Sequence, residues 1–187
     1  MGADAMNNGE AGLPRVGSRA TYQPPTKFFQ LSNLRKLRGC DQVAAVCYRN
    51  RGSGIEFLLV RTNSGHWTFP KGSTEPGLTH AQAAALEAFE EAGVHGRMEE
   101  ASFTHYVRRK GANTRTARST GKELLVSAHL CEVTQLGQPQ EPNRDPTWFS
   151  AEKAKRCLRE DRPPAFATEL ARVVDLAVAR IQRLRAL

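Results

Sequence analysis

WTFPKGSTEPGLTHAQAAALEAFEEAGV, residues 67–94, decides how this chain is read. The stretch opens as a short apolar strand over residues 67–70 and crosses a loop punctuated by Gly and Pro over 71–78. It then becomes an alanine-rich helix that stops at Gly93, the residue type best able to close a helix in the left-handed conformation. Near the end of that helix Glu87, Glu90 and Glu91 stand at i, i+3 and i+4. At about 100° per residue they share one face within roughly one turn. The ordinary fate of such a run is a solvated acidic face. Two features argue against it here. None of the three has a Lys or Arg at i±3 or i±4, and all lie toward the helix C-terminus, where the macrodipole disfavours negative charge. Carboxylates so crowded repel one another unless a cation lies between them. Hard oxygen donors suit Mg2+ or Mn2+, and such an ion can clamp phosphate oxygens and activate a water.

Outward from this stretch, the 187 residues carry 27 basic and 19 acidic side chains, a formal charge of +8. With the suspected site acidic, the positive excess lies elsewhere and favours an anionic partner, either a phosphorylated small molecule or nucleic acid. Cys40, Cys47, Cys131 and Cys157 are widely spaced, which argues against both a disulfide framework and a zinc site. Cys47 and Cys131 sit in apolar runs, where a thiol behaves as a small hydrophobe. No run approaches the roughly 18 apolar residues of a membrane span, and no charged segment precedes an apolar one at the start of the chain. A cytoplasmic protein without membrane contact is expected.

The organisation follows from punctuation and period. Residues 1–25 lack an apolar period and are expected to be a mobile tail. Residues 26–38 (TKFFQLSNLRKLR) are apolar and basic, and either pack on the domain or form a basic arm. The domain is expected over 39–187, with 1–38 outside it. Residues 42–49 and 55–61 read as strands, 97–109 as a strand with Phe103, His105 and Val107 on one side, and 123–133 as a long strand. Ser150 is placed to cap a helix running to about Arg159. The last helix, about 165–185, carries Leu170, Val173, Val174, Ala177, Ile181 and Leu184 on a stripe suited to core packing. Strands and helices interleave without regular βαβ repetition. This predicts an α+β fold, a mixed central sheet sandwiched between helices, rather than a Rossmann fold or a barrel.

From Gly72 onward the opening stretch resembles the Nudix box, G-x5-E-x7-R-E-U-x-E-E-x-G-U with U aliphatic. Gly72, Glu87, Glu90, Glu91, Gly93 and Val94 match, and Ala88 takes the first aliphatic place. Leu78 and Leu86 stand where the box has Glu and Arg, which in the family hold the loop against the helix. The two departures read as a pair, an ion pair replaced by an apolar contact. The resemblance implies a Nudix-type α/β/α sandwich. It also implies a divalent-cation site at Glu87, Glu90, Glu91 and the Gly72 carbonyl, and a general base that is either Glu87 or Glu90. The run Phe69-Pro70-Lys71-Gly72 and the later run 148–154 (WFSAEKA) are similar to the Nudix enzymes acting on diadenosine polyphosphates and diphosphoinositol polyphosphates. In all, the similarity covers about residues 40–185.

Between His105 and Lys122 lie Arg108, Arg109, Lys110, Arg115, Arg118 and Lys122, with no acidic residue among them. An exposed loop would merely solvate these charges. The functional reading sets Arg108, Arg109, Lys110 and Arg118, together with Lys71 and Arg61, on the phosphates of the substrate. Few aromatics accompany this charge, so a base-stacking nucleic-acid platform is poorly supported and an inositol pyrophosphate suits the charge well. Adenine would need Trp67, Phe103 or Tyr106 as stacking partners. The expected activity is cation-assisted hydrolysis of a P–O–P linkage. The competing class, kept open by Leu78 and Leu86, is a Nudix-fold module that senses a phosphorylated ligand or RNA without turnover. Oligomeric state is open.

Overall fold

Apolar runs without alternation signal strands covered on both faces, and the first two strands of the domain behave in this way. The computed structural model describes residues 42–52, 54–109 and 123–186. The expected tail and arm over 1–38, together with Cys40, Lys110, Arg115, Arg118, Lys122 and the side chain of Arg109, lie outside them. Strand β1 (Gln42–Arg51) sends Ala44, Val46 and Tyr48 to one core cluster and Val43, Ala45 and Cys47 to another. Strand β2 (Gly54–Arg61) divides its residues likewise, with Phe57 and Leu59 on the first side and Leu58 and Val60 on the second.

Helices cover both faces. Helix α1 (His80–Ala92) places Ala83, Ala84, Ala88 and Ala92 on the second cluster. Helices α2 (Ala151–Arg159) and α3 (Pro164–Arg185) close the first cluster with Leu158, Leu170, Val173, Val174 and Ile181, all fully buried. Each such large aliphatic side chain contributes about 1.5–3 kcal/mol by leaving water. The expected stripe on α3 holds except at Leu184, which is 38% exposed and lines a surface recess with Tyr48, Arg97 and Glu132. Among the described residues no helix is long and apolar enough to cross a membrane.

The eight-stranded sheet is mixed. It is ordered β3 (Trp67–Thr68), β2, β1, β7 (Glu123–Leu136), β5 (Val94–Met98), with β4 (Lys71–Ser73) pairing β1, β6 (Thr104–Arg109) pairing β7, and β8 (Thr147–Ser150) pairing β2. Among the described residues only β1 and β7 run parallel, in the register Val43↔Ser127 and Cys47↔Cys131; the other pairs are antiparallel. The α/β/α sandwich is therefore present as expected.

Three local expectations change. Residues 71–73, read as loop, form β4, because Gly72 and its neighbours pair with Gln42–Ala44 of β1 whatever their own propensity. The single strand expected over 97–109 is two segments on one edge of β7. Residues 99–103 bulge out opposite only His129 and Leu130, an odd excess that switches the inward-facing parity. Tyr106 is consequently buried, at 2% exposure, while Val107 is 43% exposed. Ser150 does stand at the N-cap of α2, but its side chain makes no capping hydrogen bond.

Candidate active site between β4 and the end of α1

Two local devices fix the helix that carries the carboxylates. At its start Thr79 and Gln82 form a reciprocal capping box: Thr79 Oγ1 accepts from the Gln82 N–H, and Gln82 Oε1 accepts from the Thr79 N–H. At its end Gly93 adopts φ 65°, and its N–H donates to the Phe89 carbonyl at 2.8 Å. The chain then turns at once into β5, so the last turn of α1 faces the start of β4.

Glu87 fills the space beside Gly72 that a side chain there would need. A Cβ placed on Gly72 would lie 1.7 Å from Glu87 Oε1 and 2.1 Å from its Cδ, so only glycine admits the carboxylate there. Burial, followed by the charges of Glu91 and Glu90, pushes Glu87 up to about 7, with Lys71 opposing. Glu90 lies half-buried one turn on. Glu91 is 2% exposed. Its Oε2 accepts the backbone N–H of Lys71 at 3.1 Å, and its Oε1 pairs with Arg144 Nη2 at 2.9 Å. Burial raises its pKa, while Lys71, Arg144 and the Lys71 N–H act the other way.

Arg144 comes from the β7–β8 connection, and that connection is clamped to α1. Gly137 N–H bonds the Gly93 carbonyl at 2.7 Å, and the N–H groups of Gln140 and Glu141 both bond the Glu90 carbonyl at 2.9 Å. Arg144 also meets Glu141 through Nε at 2.7 Å and Nη2 at 2.6 Å, and its backbone carbonyl accepts the Arg61 N–H. Asn143 and Asp145 on either side of it have φ of 65° and 48°, the left-handed region that non-glycine residues enter only when their surroundings hold them there.

Among the described residues no three His, Cys, Asp or Glu side chains form a group that could hold a metal ion. Both oxygens of Glu91 are engaged by protein donors. Near it are the Glu87 carboxylate, packed against the Gly72 backbone, and Glu90 on the same helix. That donor set fits Mg2+, which typically takes one or two carboxylates and completes its shell with water and substrate phosphates.

Of the residues expected at the phosphates, Lys71 and Arg108 are half-buried electrostatic neighbours, and Arg108 Nη1 donates to Gln42 Oε1 at 3.1 Å. Burial pushes the Lys71 ammonium down, Arg108 and Arg144 add to that, and Glu91 and Glu87 pull it back. The Arg61 guanidinium lies over the Trp67 ring at 4.1 Å, donates to the Gly65 carbonyl at 2.6 Å and stands 3.8 Å from Asp145. These contacts brace the β2–β3 hairpin and leave the Arg61 side chain 42% exposed. Arg109 closes β6, while Lys110 and Arg118 fall outside the described residues. The aromatics considered for stacking are engaged as well. Trp67 (8% exposed) meets Phe149 edge-on, Tyr106 lies in the core, and Phe103 packs against it.

Leu78 packs on the α1-side core; Leu86 is half-buried on α1 and belongs to neither core cluster. Arg144, Glu141 and Arg162, whose Nη2 donates to the Trp67 carbonyl at 2.5 Å, were not anticipated. All three come from loops far along the chain, where spacing carries no signal.

Comparison with known proteins bears on the same segment. A family model described as NUDIX domain matches residues 40–169. The asymmetrical bis(5'-nucleosyl)-tetraphosphatase of Sus scrofa is 41% identical over 66 residues, 31% of this chain and 43% of that protein. The protein of the same name from Caenorhabditis elegans is 45% identical over 51 residues, 26% of this chain and 37% of that one. The chain thus matches less than half the length of each. Nudix hydrolase 12, mitochondrial, of Arabidopsis thaliana is 27% identical over 155 residues, covering 77% of this chain and 76% of that protein. Among solved structures, C. elegans Ap4A hydrolase superposes with a TM-score of 0.55 at 24% identity, over 76% of this chain and 98% of that one, a likeness of fold.

Proposed function

The chain belongs to the NUDIX family, and from that premise we propose that it is a divalent-cation-dependent pyrophosphohydrolase that opens a P–O–P linkage in a nucleoside polyphosphate. The observation that carries the reading is Glu87, a carboxylate set against the Gly72 backbone with its pKa raised to about 7. A group of that basicity in a cleft is suited to take a proton from water near neutral pH. Glu87, Glu90 and Glu91, with the Gly72 carbonyl, would hold Mg2+ or Mn2+. When bound, the cation supplies neutralisation of phosphate oxygens and lowers the pKa of a coordinated water.

The chain's own residues account for the rest. Glu87 accepts the proton of the attacking water, with Glu90 the alternative base. Oxygen attacks phosphorus, the bridging P–O bond breaks, and the leaving phosphate departs with the electron pair. Lys71 and Arg108 neutralise the phosphate chain, and Arg109, Lys110 and Arg118 from the stretch after β6 would extend that contact. The free thiols of Cys47, Cys131 and Cys157 are in keeping with a cytoplasmic setting, and the hydrolase domain is assigned to 39–187.

The names of the tetraphosphatase relatives make diadenosine tetraphosphate the first substrate to test. One observation favours a second reading, an inositol pyrophosphate: Trp67 and Tyr106 are core residues, so the described site offers phosphate-binding charge without a stacking platform. The test is 31P NMR of diadenosine tetraphosphate, an inositol pyrophosphate, ADP-ribose and a nucleoside triphosphate with the protein and Mg2+. Hydrolysis of at least one, stopped by EDTA, is expected. Binding of any of them with no turnover of all four would assign the chain to the sensing class instead.

A further inference from the structure

Glu91 presents an electrostatic problem that its own helix does not solve. A carboxylate at 2% exposure is retained as an anion only if it is paired and fully hydrogen-bonded, and α1 has no basic residue in its last turn. The partner arrives from the β7–β8 connection, and its delivery is built rather than incidental. Residues flanking Arg144 sit at positive φ, its backbone is bonded to Arg61, Glu141 holds its outer edge, and Gln140 and Glu141 are fastened to the Glu90 carbonyl. The other oxygen of Glu91 holds the Lys71 N–H, in the Pro70–Lys71 peptide one residue before Gly72. One buried carboxylate therefore joins three segments: the start of β4, the end of α1 and the β7–β8 loop.

We infer that Arg144 is a positioning residue for the cation site, fixing Glu91 so that Glu91 in turn holds the Lys71 backbone, and with it the neighbouring Gly72, against Glu87. The assignment rests on the hydrolase reading above and adds a residue to it. It leaves Glu91 among the expected ligands and moves the bracing cation from the helix, where Leu86 stands, to a loop more than fifty residues later in sequence.

The competing explanation is that Arg144 merely neutralises Glu91 in the absence of metal. The two differ in sign. Removing a positive charge beside a cation site tightens cation binding on Coulombic grounds, whereas removing a positioning residue loosens it, by about 10–100-fold where a ligand's support is lost. The experiment is Mn2+ binding to the full chain, followed by electron paramagnetic resonance at a temperature where each variant is folded, for wild type, Arg144→Met and Arg144→Lys. The inference predicts that R144M binds Mn2+ at least about tenfold more weakly while R144K stays within roughly threefold of wild type. In turnover, R144M should lower kcat by a similar factor and leave KM nearly unchanged. Should R144M fail to fold, Arg144→Leu, also neutral and unable to donate to Glu91, carries the same sign test. Unchanged or tighter Mn2+ binding in the folded neutral variant would overturn the inference, as would a wild type that binds no Mn2+. A wild type that binds Mn2+ but turns over none of the four substrates would remove the proposed function, and the sign of the Arg144 effect would still be read.

Discussion

Glu87 and Gly72 are where the chemistry of the site can be tested residue by residue. A methyl group on Gly72 would overlap the end of a flexible side chain rather than backbone, so it should displace the carboxylate at little cost to the fold. Gly72→Ala is expected to melt within a few degrees of wild type and to lose at least about tenfold in hydrolysis. Normal activity would separate Glu87 from Gly72 as functional partners. The raised pKa of Glu87 has its own signature. Between about 4.5 and about 7 the folded state keeps a proton that the unfolded chain has released, so this group makes stability fall as pH rises through that window. His80 and His129, whose pKa values burial lowers, act in the opposite sense near neutrality, so the effect must be read as a difference. In EDTA, Glu87→Gln should gain on the order of 1–2 kcal/mol over wild type at pH 7.5, after allowance for solvent screening, and almost nothing at pH 4.5. Urea titrations at the two pH values measure this; a gain equal at both would contradict the ionisation account.

At the scale of elements, the decisive junction is the one at which α1 ends, β5 begins and the β7–β8 loop attaches. Gly93 carries it. Its φ of 65° strains any side chain, and an added Cβ would meet the Gly137 carbonyl oxygen at 2.4 Å, backbone that cannot swing away. Gly93→Ala should cost about 2–3 kcal/mol in denaturant unfolding, the left-handed penalty plus the clash; a cost below about 0.5 kcal/mol would mean that the loop is not anchored there. Which elements could be read from sequence follows from how local their causes are. The ends of α1 and the two-sided burial of β1 and β2 are written in nearest neighbours and in period. Strand β4 is not, because Lys71–Ser73 is a strand only by pairing with β1. The inward face of β6 is not legible either, because it depends on how many residues bulge between β5 and β6 opposite β7, which no periodicity within 97–109 encodes.

For the molecule as a whole, the mixed sheet between helices followed from the pattern of elements, and the carboxylate cluster with its glycine was visible as a motif. What the sequence could not display was the cost of burying Glu91 and the means of meeting it. Arg144 lies on a loop of Gly, Pro and Gln whose composition marks only a connection, and its significance appears once folding brings it 2.9 Å from Glu91. Arg61 is a parallel case: nothing in the sequence of a strand end shows that its guanidinium lies over Trp67 and beside Gly65 and Asp145. The central claim is that this arrangement hydrolyses phosphoric anhydrides through Glu87 with a divalent cation. It is tested most directly by 31P NMR of diadenosine tetraphosphate turnover at pH 7.5, comparing wild type with Glu87→Gln in Mg2+ and in EDTA. The account predicts Mg2+-dependent turnover by wild type and a rate at least about 100-fold lower in a variant that melts no lower than wild type. A Glu87→Gln rate within a few-fold of wild type, or wild-type turnover that persists in EDTA, would contradict it.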